Sequence, residues 1–88
     1  VFRVSAGSSP AVTHTVTSVT RPMDAVTAGG SLFVTSYNGS TSAVVELDAA
    51  DLTTLATITT GIARGSTEGY SGIDIAADGT LYVADQFY

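Results

Sequence analysis

The chain has 88 residues and carries eight acidic side chains against three arginines, which gives a formal net charge of −5 at pH 7. This acidic balance excludes the basic face that nucleic acids and anionic membrane surfaces require. The sequence contains no cysteine, which excludes disulfides and thiolate metal sites, and no apolar run approaches the roughly 18 residues of a membrane helix. Composition therefore predicts one small domain at most, with no nucleic-acid partner and no membrane span.

Runs of β-branched and aromatic residues, bounded by turn residues, predict eight strands. In chain order these strands are Val1–Ser5, Val12–Val19, Asp24–Ala28, Ser31–Ser36, Ala43–Asp48, Leu55–Thr60, Gly72–Ala77 and Thr80–Asp85. Gly29-Gly30 and Asp78-Gly79 supply the positive φ that tight hairpin turns need. No segment of helical length carries a 3.6-residue apolar period, so the sequence predicts an all-β fold.

Two segments of the chain repeat each other. Met23–Tyr37 reads MDAVTAGGSLFVTSY, and Ile73–Phe87 reads IDIAADGTLYVADQF. The Leu-aromatic-Val triplets of the two segments align at an offset of 49, and Asp24 aligns with Asp74 at an offset of 50. We expect one turn residue to absorb the difference. A weaker repeat relates Phe2 to Val45 at an offset of 43.

A repeat of 40–50 residues built from short strands is typical of a β-propeller, in which four-stranded blades surround an axis. We expect a single partial propeller domain over residues 1–88, equivalent to about two blades. Residues 1–20 would supply the two outer strands of one blade, residues 21–61 a full blade, and residues 70–88 the two inner strands of the next.

The middle strands of the predicted blades carry consecutive apolar residues. Leu32-Phe33-Val34 and Leu81-Tyr82-Val83 place large apolar side chains on both faces of their sheets, whereas a sheet with one solvated face alternates apolar and polar residues. Both faces must therefore pack on neighbouring sheets. The neighbouring sheets could come from two sources. The chain could be a fragment of a longer protein whose remaining blades supply them. Alternatively, other copies of the chain could supply them, with the last two strands of one copy joining the first two strands of the next.

Most of the sequence resembles known propeller repeats. Residues 72–85, GIDIAADGTLYVAD, resemble the core of an NHL-type repeat, and residues 21–59 resemble the related surface-exposed repeats of YncE-like proteins. The resemblance implies a propeller fold, and propellers serve as scaffolds, ligand binders and enzymes. Of these functions we favour a binding or assembly scaffold. The chain also contains 14 Thr and 10 Ser but no Lys, a bias shared with secreted and cell-surface bacterial proteins. We therefore expect an extracellular, cell-surface or periplasmic location.

A more distant resemblance, to gluconolactonase-like propellers, implies an enzymatic alternative. Those lactonases and esterases bind a divalent cation through Asn and Asp ligands, and Asp85 matches one of their motifs. Met23 stands where the other motif has Asn, and a thioether is a poor ligand for a hard cation. We expect no cofactor, with calcium or another divalent cation as the alternative. Asp24 and Asp74, on inner strands, are further candidate ligands, or else they hydrogen-bond the backbone of a neighbouring blade.

The connection between the full blade and the following strands is the candidate recognition element. It carries Arg64, Glu68 and Tyr70, and loops of this kind display side chains to partners. The expected ligand is a protein or a carbohydrate, and a lectin-like ring of two-blade protomers is a third possibility. No nucleophile or phosphate-binding motif is present, so the sequence favours binding over catalysis.

Overall fold

The structure of the chain is a computed structural model in which residues 1–37, 42–59 and 70–85 are described. These residues fold into eight β-strands and contain no helix. The strands are β1 (Phe2–Val4), β2 (Val12–Thr15), β3 (Ala25–Ala28), β4 (Ser31–Tyr37), β5 (Ser42–Asp48), β6 (Thr54–Thr59), β7 (Tyr70–Ile75) and β8 (Leu81–Asp85). The predicted all-β fold is confirmed, and the described ranges hold no helix that could cross a membrane.

The strands form three antiparallel sheets in chain order. We call β1–β2 the first hairpin, the four-stranded sheet β3–β4–β5–β6 the central sheet, and β7–β8 the last hairpin. Strands that follow each other in sequence are neighbours in space, as expected where short turns join antiparallel strands. In the part of the chain that the structure describes, none of the three sheets closes on itself.

Strand β2 is shorter than predicted. It ends at Thr15 rather than at Val19, although Val16 still exchanges two backbone hydrogen bonds with Val1, at 2.8 and 3.1 Å. Beyond Val16 the chain turns towards the central sheet, and Val19 is buried there. The strand ends early because Val19 packs against another sheet instead of continuing the ladder.

The first hairpin repeats the outer half of the central sheet, including its irregularity. The β1–β2 pairing shifts register between Arg3 and Val4, and the β5–β6 pairing shifts between Glu46 and Leu47. These two positions are separated by 43 residues, the offset predicted from the sequence. A bulge at an equivalent place in both ladders shows that the two halves are built alike.

The last hairpin repeats the inner half of the central sheet but uses a different turn. Strands β3 and β4 are joined by Gly29 and Gly30, whose φ angles of 56° and 83° allow a two-residue turn. In the last hairpin, the N–H of Ala76 donates to the carbonyl of Thr80 at 2.9 Å. Three residues, 77–79, therefore lie in that turn.

This extra turn residue moves Asp74 out of the position predicted for it. Asp74 pairs with Tyr82, and in the central sheet Val26 pairs with Phe33. Asp74 is thus the counterpart of Val26, not of Asp24. The predicted equivalence of Asp24 and Asp74 is wrong, because the turn after Asp74 is longer and not shorter than the turn at Gly29-Gly30.

Apolar side chains from other parts of the chain pack on both faces of the central sheet. On one face, Val34, Val45, Leu47 and Leu52 cluster with Val1 and Val16, which flank the first hairpin, and with Val19 from the segment after it, whereas the residues of β1 and β2 themselves are exposed. On the other face, Val26, Phe33 and Val44 pack against Ile73, Leu81 and Val83 of the last hairpin. The predicted burial of the middle strands on both faces is confirmed for the central sheet.

Candidate functional site

An open cleft of about 480 Å³ lies on the last hairpin beside Asp24. Its lining includes Asp24, Asp74, Tyr82 and the small residues Gly72 and Ala84. The structure thus brings two of the three predicted metal-ligand candidates to one cleft. They belong to different sheets. Asp24 directly precedes β3 of the central sheet, and Asp74 lies on β7 of the last hairpin.

Asp24 connects the two sheets that form the cleft. Its Oδ1 accepts a hydrogen bond from the N–H of Ala25 at 2.9 Å, and its Oδ2 accepts one from the N–H of Ile73 at 3.1 Å. We call the second contact the Asp24 bridge. It joins residues 49 positions apart. The hydrogen bond to a neighbouring sheet, offered by the sequence as the alternative to metal binding, is therefore present at Asp24.

Small residues leave room for the Asp24 bridge. A Cβ atom at Gly72 would lie 3.8 Å from the Cβ of Ala84 and 3.9 Å from Oδ2 of Asp24, which is ordinary van der Waals contact. A longer side chain at either position would occupy the space through which the carboxylate reaches the backbone. The hydroxyl of Thr35 holds the backbone of Asp24, since it accepts the Asp24 N–H at 3.1 Å.

Asp74 lies on the outward face of the last hairpin, away from the central sheet. Its Oδ1 accepts a hydrogen bond from the adjacent N–H of Ile75 at 2.8 Å, and the residue is exposed. Its cross-strand neighbour Tyr82 is 64% exposed. Their counterparts Val26 and Phe33 form an apolar pair in the central sheet. The outward face of the last hairpin thus presents an acid and an aromatic ring where the repeat has two apolar residues.

The other predicted site residues are placed only in part. Asp85 ends β8 and pairs with Tyr70 at the start of β7, but the side chains of both lie outside the described part of the chain. Arg64 and Glu68 lie outside the described residues altogether. Among the residues that are described, no three His, Cys, Asp or Glu side chains converge on one point.

Sequence reasoning missed a second cleft, of about 320 Å³, on the face of the central sheet next to the first hairpin. Hydroxyl-bearing residues dominate its lining: Ser18, Thr20, Ser36, Thr54, Thr57 and Thr59. The Ser36 hydroxyl donates to the Thr20 carbonyl at 2.8 Å, which holds the segment after the first hairpin to β4. The Thr-rich pattern of β6 was the signal in the sequence, but it also fits an exposed outer strand.

Two carboxylates serve turns rather than clefts. The backbone N–H of Thr80 donates to Oδ1 of Asp78 at 2.9 Å, and this contact lowers the pKa of the Asp78 carboxyl from its ordinary value. Hydrogen bonds from the side chain and backbone of Thr53 lower the pKa of Asp51 in the same way. Both groups are ionised turn-forming residues, as expected of Asp in such positions.

The cleft at Asp24 therefore combines one carboxylate engaged by two backbone N–H groups with one exposed carboxylate beside an aromatic ring. An acid next to a ring can receive a cationic group or a pattern of hydroxyl groups. Comparison of the chain with protein-family models, with curated proteins and with solved structures found no match.

Proposed function

We propose that the chain is a segment of a β-propeller and acts as a binding or assembly scaffold. The observation that carries the proposal is the coverage of the central sheet. One face of the four-stranded sheet packs on the last hairpin, which repeats the inner half of the sheet, and the other face packs on Val1, Val16 and Val19, which flank the copy of its outer half. This is the packing expected when equivalent blades follow one another around an axis.

The exposed apolar residues of the two hairpins support the proposal that further sheets pack against these hairpins. Phe2, Val4 and Tyr82 are exposed in the described structure. Removing such a side chain from water stabilises a protein by roughly 1.5–3 kcal/mol, and a whole domain has only about 5–15 kcal/mol of stability. Blades of the same protein, or copies of the chain, are the partners that we propose.

The proposal also includes a location outside the cytoplasm, at the cell surface, in the periplasm or in the medium. It is supported by the high content of Ser and Thr against three Lys and Arg residues in total. Fractionation of the native cells, followed by detection with an antibody, tests this part. Recovery in the cytoplasmic fraction would contradict it.

A divalent-cation hydrolase is the second candidate, favoured by the presence of Asp24 and Asp74 in one cleft. The test that separates the two functions is thermal unfolding with and without calcium, combined with turnover of lactone and ester substrates. The scaffold predicts that calcium leaves the melting temperature unchanged and that no substrate is hydrolysed. Calcium-dependent turnover of a lactone or ester that Asp85→Asn removes would overturn the scaffold and establish the hydrolase.

A further inference from the structure

The first and last hairpins present complementary strand edges. In the described part of the chain, β1 pairs only with β2, and β8 pairs only with β7. Their counterparts in the central sheet, β5 and β4, pair with each other from Ser31↔Asp48 to Tyr37↔Ser42. The central sheet is thus a template for joining the two edges.

We propose that β8 of one copy pairs with β1 of a second copy and completes a four-stranded sheet. This inference rests on the proposed propeller scaffold and names the partner that occupies its edge. The joined sheet has the order β7, β8, β1 and β2, with the last two strands from the second copy. It reproduces the order of β3, β4, β5 and β6.

The register of the joined sheet follows from the β4–β5 pairing. In that pairing Leu32, Phe33 and Val34 oppose Leu47, Glu46 and Val45. Transferring these pairs with the offsets of 49 and 43 sets Leu81 opposite Val4, Tyr82 opposite Arg3, and Val83 opposite Phe2. A register shifted by one residue would move Phe2 and Val4 to the other face, away from Leu81 and Val83.

Burial at equivalent positions supports this partner. Val45 and Leu47 are 8% and 0% exposed in the central sheet, whereas their counterparts Phe2 and Val4 are 63% and 51% exposed. In the joined sheet, Phe2 and Val4 share a face with Leu81 and Val83. The same sequence pattern is therefore buried where its sheet is complete and exposed where it is not.

The joined sheet also extends an interface that the chain already has. The last hairpin covers Val44 on the central sheet, but Ile58, the cross-strand neighbour of Val44, is 43% exposed. The two strands of the last hairpin are too few to cover all four strands of the central sheet. The added strands of the second copy would carry Phe2 and Val4 over the outer half of this face, where Ile58 lies.

Charge complementarity points to the same pairing. Asp74 lies beside Tyr82 in the last hairpin, and the proposed register sets Arg3 of the second copy on the other side of the ring. The three side chains then occupy one face, with a guanidinium over an aromatic ring and opposite charges on either side of it. Within one copy, Arg3 and Asp74 belong to separate sheets.

Sedimentation equilibrium of the 88-residue chain tests the assembly. We expect self-association, and we expect Val4→Lys to weaken the association constant by at least about tenfold, because an unpaired charge would be buried. Thr57→Lys is the control, since Thr57 is exposed and pairs with Val45, on the face of the central sheet opposite to Ile58. Its association constant should stay within about twofold of the parent chain. A chain that remains monomeric at every concentration, or equal losses from both variants, would overturn the proposal.

A charge-exchange cycle tests the register. Arg3→Asp and Asp74→Arg should each weaken association about two- to fivefold, and the double variant should restore it. Circular dichroism of each variant at low concentration separates a folding defect from a contact defect. Additive losses in the double variant would overturn the register. If the chain proves monomeric while the calcium and turnover tests favour the scaffold, the pairing of copies fails and the scaffold stands.

Discussion

The Asp24 carboxylate accepts hydrogen bonds from two backbone N–H groups, one in its own segment and one in another sheet. The second donor belongs to Ile73, a buried residue. A buried N–H that loses its acceptor costs the full desolvation of the group. One side chain on the rim of the central sheet therefore holds the last hairpin in place through a polar contact.

We predict that Asp24→Ala lowers the free energy of unfolding by about 1–3 kcal/mol, because the N–H of Ile73 loses its acceptor. Asp74→Ala is the control, since the described contact of Asp74 is to its adjacent N–H in an exposed position. Its effect should stay within about 0.5 kcal/mol. Urea unfolding of the two variants measures the difference, and equal losses would contradict a bridging role for Asp24.

Sequence reasoning identified Asp24 but not its partner. The alternative of a hydrogen bond to a neighbouring sheet followed from the residue type and its place next to an inner strand. The donor, Ile73, lies 49 positions away, and only the stacking of two sheets brings it near. The error about Asp74 had a local cause. The sequences around the two turns are similar, but the turn has two residues in one copy and three in the other, and the similarity does not reveal this difference.

Among the elements, the β3–β4 hairpin shows most directly how the sequence sets the fold. Gly29 has a φ of 56°, in the left-handed region, and no atom outside its neighbours lies within 4 Å of a Cβ built on it. The requirement at this position is therefore one of backbone conformation alone. Two-residue hairpin turns of this kind accept Asn readily and β-branched residues poorly.

We predict that Gly29→Asn preserves the melting temperature to within a few degrees, whereas Gly29→Val lowers stability by roughly 1–2 kcal/mol. The two variants add side chains of similar size, so the comparison isolates the strain of a positive φ. Thermal unfolding followed by circular dichroism measures both. A destabilisation by Asn equal to that by Val would show that space, and not backbone conformation, restricts the position.

Strand types and the burial of middle strands were predictable because they follow from neighbouring residues. Leu32, Phe33 and Val34 place large apolar side chains on both faces of β4, so both faces have to be covered. The end of β2 was not predictable in the same way. Val16 continues the apolar positions of the strand, Val19 would fall on the opposite face, and in the structure Val19 leaves the ladder to pack on the central sheet.

At the scale of the whole molecule, the three sheets share no backbone ladder within the described residues. The central sheet packs on the last hairpin through one face and on Val1, Val16 and Val19, next to the first hairpin, through the other. Local opening occurs most readily where few apolar contacts must be broken. The hairpins should therefore detach from the central sheet before the central sheet itself unfolds.

We predict that amide hydrogens of β4 and β5 exchange with solvent only through global unfolding, while those of β1–β2 and β7–β8 exchange faster through local opening. In Asp24→Ala, exchange should accelerate in β7–β8 more than in β1–β2, because the removed hydrogen bond ends at Ile73. Native-state hydrogen exchange measured by NMR reports each strand separately. Uniform acceleration in all three sheets would show that the molecule opens as a single unit.

The replacement of Asp24 by Gly72 at the corresponding place of the last hairpin has a consequence for any longer array. A sheet stacked on the outward side of that hairpin receives no carboxylate from this position. In a tandem array of this chain, sheet–sheet interfaces that contain a hydrogen bond to a carboxylate would then alternate with interfaces held by side-chain packing alone. Under mechanical load or in mild denaturant, such an array would separate first at the interfaces that lack the carboxylate, which are every second one.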